Sequence, residues 1–536
     1  MANHTIGIRL LLGFCLLQTG FGADSSGTTP QRLGFHQVRV DRAGRILPWY
    51  SADPGAGYDK VLNLVWFYWA HVPPYWDIQP ERVVNGVKIA STRLGALDLP
   101  KYMLFRTLET LGIGGDQFAM ALSSWSLYYQ YSGDEAVKAN MIYIADTYLA
   151  HSLSPDSAAW PHIPYPCNGG PTLVYDGDLV LGKNVTQPDK AGSFAAELVT
   201  LYEMTGNEKY LRAAIAIADV LAAHTTAGDA DHSPLPFKVN AITGEVRSAY
   251  TTNWTGTLRL LQELERIKKG NAAAYEKAFK TILAWMKQYP LATNKWGPFF
   301  EDINGWSDTE INAGTFAWYL MENKAWDANW KPDVRRTQDW VIQKLGNRAL
   351  LHSLGVMTIN EQTAYAVPGQ SHSSRHASVE VRYATETGDT RNKDMAIRQL
   401  NWATYFVDDD GKNKYPDPHT FEIWWTDGYG DFVRHYLRSM AADPELAPAG
   451  QSHLLHSTSA VREVKYGPRQ IDYSVYDPEG FSTLRVASRP SFITVDGKAM
   501  TFEKDTASPG WTWQPLASGG IVHIHSQNGR AISIRF

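Results

Sequence analysis

Cysteine is almost missing from this chain: there are two in 536 residues, Cys15 and Cys167. Cys15 falls in an apolar N-terminal run, so removal of that run leaves Cys167 alone, which excludes an intramolecular disulfide and a cysteine-rich metal site. A basic excess is also lacking. Lys and Arg number 50 against 55 Asp and Glu, a formal net charge of -5, which provides no field for nucleic acid. The longest leading apolar run, residues 10–17, is too short to span a bilayer, and no membrane anchor is expected. No phosphate loop, dinucleotide fingerprint or nucleophile elbow occurs, which disfavours phosphoryl, hydride and esterase chemistry.

What is present starts with an export signature. Arg9 precedes the apolar run, and Gly20, Gly22 and Ala23 offer a cleavage site ahead of a Ser/Thr-rich stretch. Phe14 before Cys15 lacks the small side chain of a lipoprotein signal, so residues 1–23 predict release into the periplasm or medium. Aromatics are plentiful, with 19 Trp and 27 Tyr. Amphipathic rings of this kind stack on sugar faces, although most of them are expected in the core.

From about residue 97 to about residue 445 the apolar pattern is helical and repeats with one kind of punctuation. A helix ends at Gly and a polar residue opens the next: Gly133-Asp134, Gly206-Asn207 and Gly388-Asp389. The glycine can close one helix in the left-handed conformation while its neighbour caps the following one. Such short links force antiparallel hairpins that must stack on each other to bury their apolar faces. Inner helices are predicted to start near Asp116, Asp189, Asn253, Asp308, His372 and Asp427. Six hairpins close a ring, and the longer loops that precede those starts then gather at one end, where helix N-termini favour anions.

This pattern resembles the (α/α)6-toroid, six-hairpin glycosidase superfamily, which also includes polysaccharide lyases. The resemblance covers roughly the middle two-thirds of the chain, through its architecture and its Tyr-x-x-Thr-Gly turns. It implies a mainly α fold, a site at the inner-helix start, a poly- or oligosaccharide substrate and no organic cofactor. After Pro444 and Pro448 the texture becomes short alternating runs, which predict an antiparallel β-sandwich over 450–536. It is read as a cap on the toroid, with Trp511 and Trp513 as the alternative basis for a carbohydrate-binding module. Residues 24–96 are expected to form a helix and a loop wrapping the ring.

Two chemistries compete for the loops. Hydrolysis of a glycosidic bond needs paired carboxyls. Asp427 is the first choice, set among Trp424, Trp425 and Tyr429 with Glu422 and Asp431 close by; its bland role is a helix N-cap. Asp308 and Glu310 follow Trp306, with Ser307 and Glu310 as a capping box in the structural alternative. Elimination from a uronate needs a base and a carboxylate neutraliser, for which Tyr250, Asn253, Trp254, His372, Arg375 and His376 are the candidates. The His372–His376 spacing also suits a metal, but no third ligand is evident and none is predicted. Asp189 with Lys190, and Arg375, suggest an anionic sugar. Hydrolysis leads because carboxyls occupy four of the six inner-helix starts; a uronate epimerase and a non-catalytic glycan-binding protein are the further alternatives.

Overall fold

A computed structural model describes residues 31–50, 57–71, 82–84, 87–89, 115–167, 175–178, 180–300, 305–411, 413 and 431–536. Among them twelve α-helices have ten residues or more: α1 Asp59–His71, α2 Gly115–Ser132, α3 Glu135–Ser152, α4 Pro188–Thr205, α5 Glu208–His224, α6 Thr255–Arg266, α7 Ala272–Met286, α8 Glu310–Glu322, α9 Trp330–Leu345, α10 Gln370–Thr387, α11 Lys393–Ala403 and α12 Val433–Ala442. The even-numbered helices pack side by side in chain order, and α12 returns to α2. They make a closed inner ring of six, and each of α3, α5, α7, α9 and α11 backs the inner helix that precedes it.

The turns carry the predicted devices. Gly206 takes φ 72° and donates its N–H to Tyr202 O at 2.7 Å, closing α4, while the Asn207 side chain accepts from Lys209 N and opens α5. Asp134 caps α3 after Gly133 in the same way. On α5 the buried residues Leu211, Ala214, Ile217, Ala218 and Leu221 recur at helical spacing on one face. Inner helix α4 is buried on nearly every side because neighbours flank it in the ring. Its close approach to α6 is reciprocal: a Cβ on Gly192 would strike Thr257, and one on Gly256 would strike Ser193.

The segment expected only to wrap the ring supplies its sixth outer helix. Trp69 on α1 donates to Asn140 of α3 at 2.8 Å, and Tyr58 donates to Asn401 of α11 at 2.8 Å. Trp66 and Trp69 pack edgewise or tilted on Trp125 of α2. These aromatics fill the seam between the first and last hairpins.

Nine strands follow: β1 His453–Ser457, β2 Val461–Gly467, β3 Gln470–Val475, β4 Gly480–Val486, β5 Phe492–Val495, β6 Lys498–Ala499, β7 Gly510–Pro515, β8 Gly520–Ser526 and β9 Ala531–Arg535. They form two antiparallel sheets, ordered β1-β4-β8-β7 and β2-β3-β9-β5-β6. Burial alternates along β3, and Ile471, Tyr473, Leu484, Val522 and Ile534 join a core continuous with that of the ring. The sandwich sits on the C-terminal ends of inner helices. Gln130 donates to Leu455 O at 3.0 Å, His453 Nδ1 lies 2.8 Å from Tyr131 O, and Arg462 donates to Glu203 O at 2.9 Å. Trp511 is buried in the sandwich core, which removes it from a sugar-binding surface.

No helix among the described residues is long and apolar enough to cross a membrane.

Candidate functional site

The inner-helix N-termini gather polar residues that are almost wholly buried. Pro188 opens α4, with its fixed φ suited to the first helical position, and Asp189 follows it. The Asp189 carboxyl is fully buried; Oδ2 accepts from Asn253 Nδ2 at 2.9 Å, and Oδ1 has no hydrogen-bond partner among the described residues. Burial pushes its pKa up, against the pull of Lys190 and the Asn253 amide. The Lys190 amine lies 3.7 Å from Asp189 and donates to Phe299 O at 2.9 Å, over the Phe299 ring.

A second cluster joins three inner helices. Thr309 caps α8, accepting from Ile311 N, so the expected Ser307–Glu310 capping box is not formed; the Ser307 hydroxyl instead accepts from Ala364 N. Glu310 is thereby left to accept from Arg375 of α10 at 2.6 Å, with His372 Nδ1 at 3.5 Å. The other arm of Arg375 pairs with Asp431, which Arg434 also binds and His435 approaches at 3.5 Å. A Cβ on Gly314 would collide with the Glu310 carboxylate, so this glycine makes room for the pair. Against its burial, Asp431 is held well below the usual carboxylate range by Arg375 and Arg434, while burial holds His435 well below the usual imidazole range.

An open cleft of about 580 Å³ lies beside these clusters, lined among others by Asp231, Tyr250, Tyr289, Lys295, Trp306 and Asp308. Trp306 is 44% exposed. Its ring centroid is 5.7 Å from that of Tyr250, and the Lys295 amine lies 4.5 Å from the Tyr250 ring and 5.0 Å from the Trp306 ring. The Asp308 carboxylate is 3.2 Å from Lys344, and its backbone N–H donates to Thr363 Oγ1 at 2.9 Å. Burial, with Asp231 nearby, raises the Tyr250 phenol above its ordinary value, and its hydroxyl has no hydrogen-bond partner among the described residues.

The sequence candidates therefore separate into groups. Asp308, Tyr250 and Trp306 share the cleft. Asp189, Lys190 and Asn253 form one buried cluster, and Glu310, His372, Arg375 and Asp431 form another. Two candidates withdraw into the packing. Trp254 is fully buried with its indole N–H on Thr251 O at 2.8 Å. His376 faces outer helix α11, with Nδ1 2.9 Å from Gln399 Oε1 and Nε2 3.6 Å from Glu380. His372 and His376 thus have different neighbours rather than a shared ligand. Asp427, Trp425 and Tyr429 lie outside the described residues; α12 begins at Val433, with Phe432 in its cap position. Asp231, Lys295, Lys344 and Arg434 were not anticipated; the aromatic and Gly-Pro texture around Lys295 and Trp296 is a signal that could have pointed to that loop.

No family model matches the chain, and no curated protein does. Solved structures similar to it include a cellobiose 2-epimerase from Spirochaeta thermophila DSM 6192, 13% identical over 62% of this chain and 86% of that one, with a TM-score of 0.47. A family 76 glycoside hydrolase from a bovine Bacteroides thetaiotaomicron strain is 11% identical over 62% and 69%, TM-score 0.41. A polysaccharide lyase is 11% identical over 62% and 91%, TM-score 0.40. At such identities none of them assigns a role to a residue of this chain.

Proposed function

We propose that this protein is a carbohydrate-active enzyme that hydrolyses glycosidic bonds in the cleft at the inner-helix N-terminal end of the ring. One observation carries the reading: two carboxyls, Asp231 and Asp308, line a cleft walled by the exposed Trp306 indole and by Tyr250. An aromatic wall offers stacking to a sugar face, and paired carboxyls supply the acid and the base or nucleophile that hydrolysis requires. Asp308 is the rigid member, anchored by Lys344 and by the Thr363 contact; Asp231 comes from an exposed loop.

Two of the groups that elimination would use, Arg375 and His372, are held in buried pairs. Arg375 is clamped between two carboxylates, His372 lies against Glu310, and the raised Tyr250 phenol retains its proton, which suits a donor better than a base. The preference for uronates also loses the two cations that suggested it, because Lys190 and Arg375 are bound within the protein. Export is part of the proposal, resting on the N-terminal leader pattern.

The test is release of reducing ends from an oligosaccharide panel by the parent protein and by Asp308→Asn and Asp231→Asn, with folding checked by circular dichroism. Loss of a general acid or base predicts a fall of about 10²–10⁴-fold in kcat with the fold intact. Unchanged turnover in both variants removes the cleft from the mechanism.

A further inference from the structure

We propose a second ligand site, for a small carboxylate, in the lumen of the ring toward the sandwich, with Arg438 as its principal donor. The observation is a guanidinium that its neighbours leave without a hydrogen bond. Arg438 of α12 and Arg382 of α10 both lie against Trp318 of α8, their guanidinium carbons 4.7 and 4.5 Å from a ring centroid of its indole. Arg382 is engaged: it donates to Glu386 at 2.7 Å and to Met321 O at 3.2 Å, and lies 3.6 Å from Glu322. Arg259 of α6 pairs with Glu197 of α4 at 2.9 Å, and Arg434 pairs with Asp431. Glu322 already accepts the Trp318 indole N–H at 2.6 Å. Arg438 alone in this group has neither an ion pair nor a hydrogen bond among the described residues.

This unpaired guanidinium is not on the outer surface. It sits half-buried on an inner helix, and burial with the neighbouring Arg434 lowers its pKa to about 9, against the pull of Glu322. Solvent reaches its neighbours, since the side chains of Arg259 and Glu322 are 36% and 40% exposed. His456 of β1, close to Glu322 and Arg382, contributes from the sandwich side. Glu322 and Glu197 attract this guanidinium without giving it a hydrogen bond among the described residues, and a ligand carboxylate would supply that partner. A guanidinium fork already oriented by stacking on an indole matches the planar, bidentate geometry of a carboxylate. Trp318 is nearly buried, its indole engaged by both arginines, so a sugar ring has no stacking face here and the ligand is recognised by its carboxylate.

The site is independent of the cleft and of the hydrolytic reading. Its test is calorimetric titration of the full-length protein with acetate, D-glucuronate, sulfate and glucose at constant ionic strength, repeated with Arg438→Met and Arg438→Lys. The expected result is saturable binding of acetate and D-glucuronate but not of glucose, weakened roughly 30-fold by Arg438→Met and less by Arg438→Lys. Binding of D-glucuronate without acetate assigns the ligand as a sugar acid; equal binding of both assigns a simple carboxylate. Absence of carboxylate binding, sulfate binding as tightly as acetate, or equal binding by all three proteins overturns the proposal. Should Arg438→Met fail to fold, the parent and Arg438→Lys titrations decide alone.

Discussion

The two ends of the ring are built on opposite terms. At the C-terminal end the last turns of the inner helices expose carbonyls, and the sandwich brings donors to them: Arg462 to Glu203 O, Tyr466 to Gln130 O and His453 to Tyr131 O. At the N-terminal end, Asp189 and Glu310 stand in the first turns of α4 and α8, where the helix dipole favours them, and bury their charge against Lys190 and Arg375, while Asp431 ahead of α12 pairs with Arg375 and Arg434. The first arrangement joins the sandwich to the ring through single hydrogen bonds to helix carbonyls. The second holds costly buried charge at the inner-helix starts, the kind of arrangement that clusters at functional sites and on which the proposed function rests.

The contrast is broken most severely at Asp431. Asp431→Asn leaves Arg375 and Arg434 buried without their shared partner, so denaturant unfolding should show a loss of about 3–5 kcal/mol. Its counterpart at the other end, Arg462→Ala, removes one hydrogen bond to a carbonyl and should cost about 1 kcal/mol. Equal costs at both ends would erase the distinction. Within the cleft, Trp306→Ala removes an exposed stacking wall. We expect KM to rise by the equivalent of about 1 kcal/mol while kcat and the melting temperature stay near those of the parent; a fall in kcat alone would contradict a stacking role.

The smallest effect concerns pH at the sandwich end. Burial raises Glu203 to about 7, with Arg266 opposing and Glu263 and Asp477 adding to the rise. A folded-state pKa above the unfolded value means that its stabilising contribution is complete below about 4.5 and is lost as pH rises through about 7. Between about pH 5 and about pH 8 the parent should therefore lose melting temperature relative to Glu203→Gln. A constant difference across that range would show that Glu203 does not titrate there.

The fold was legible where its signals are local. Gly206 with Asn207 states a helix end and a helix start in two residues, and the same pair at Gly133 and Asp134 marks the repeat. The sixth outer helix was not, because α1 is separated from its ring partners by most of the sequence and only Trp69 on Asn140 and Tyr58 on Asn401 reveal its place. The site divides in the same way. Trp306 and Asp308 could be read from their loop, whereas the direction of a helical side chain could not: His376 and Trp254 share segments with His372 and Asn253, yet both are drawn into helix packing. Arg434 lies three residues from Asp431 and its pairing was open to a spacing argument, whereas the Lys344 partner Asp308 is brought to it only by the folding of one hairpin.

The most direct test of the central claim is the chemistry of the product. Incubation of the full-length protein with neutral and uronate-rich polysaccharides, following reducing ends and the ultraviolet absorbance of an unsaturated uronate together, separates water addition from elimination. Paired-carboxyl hydrolysis predicts reducing ends with no such chromophore. A chromophore that rises in step with the reducing ends would contradict it and return the reaction to the His372 and Tyr250 loops.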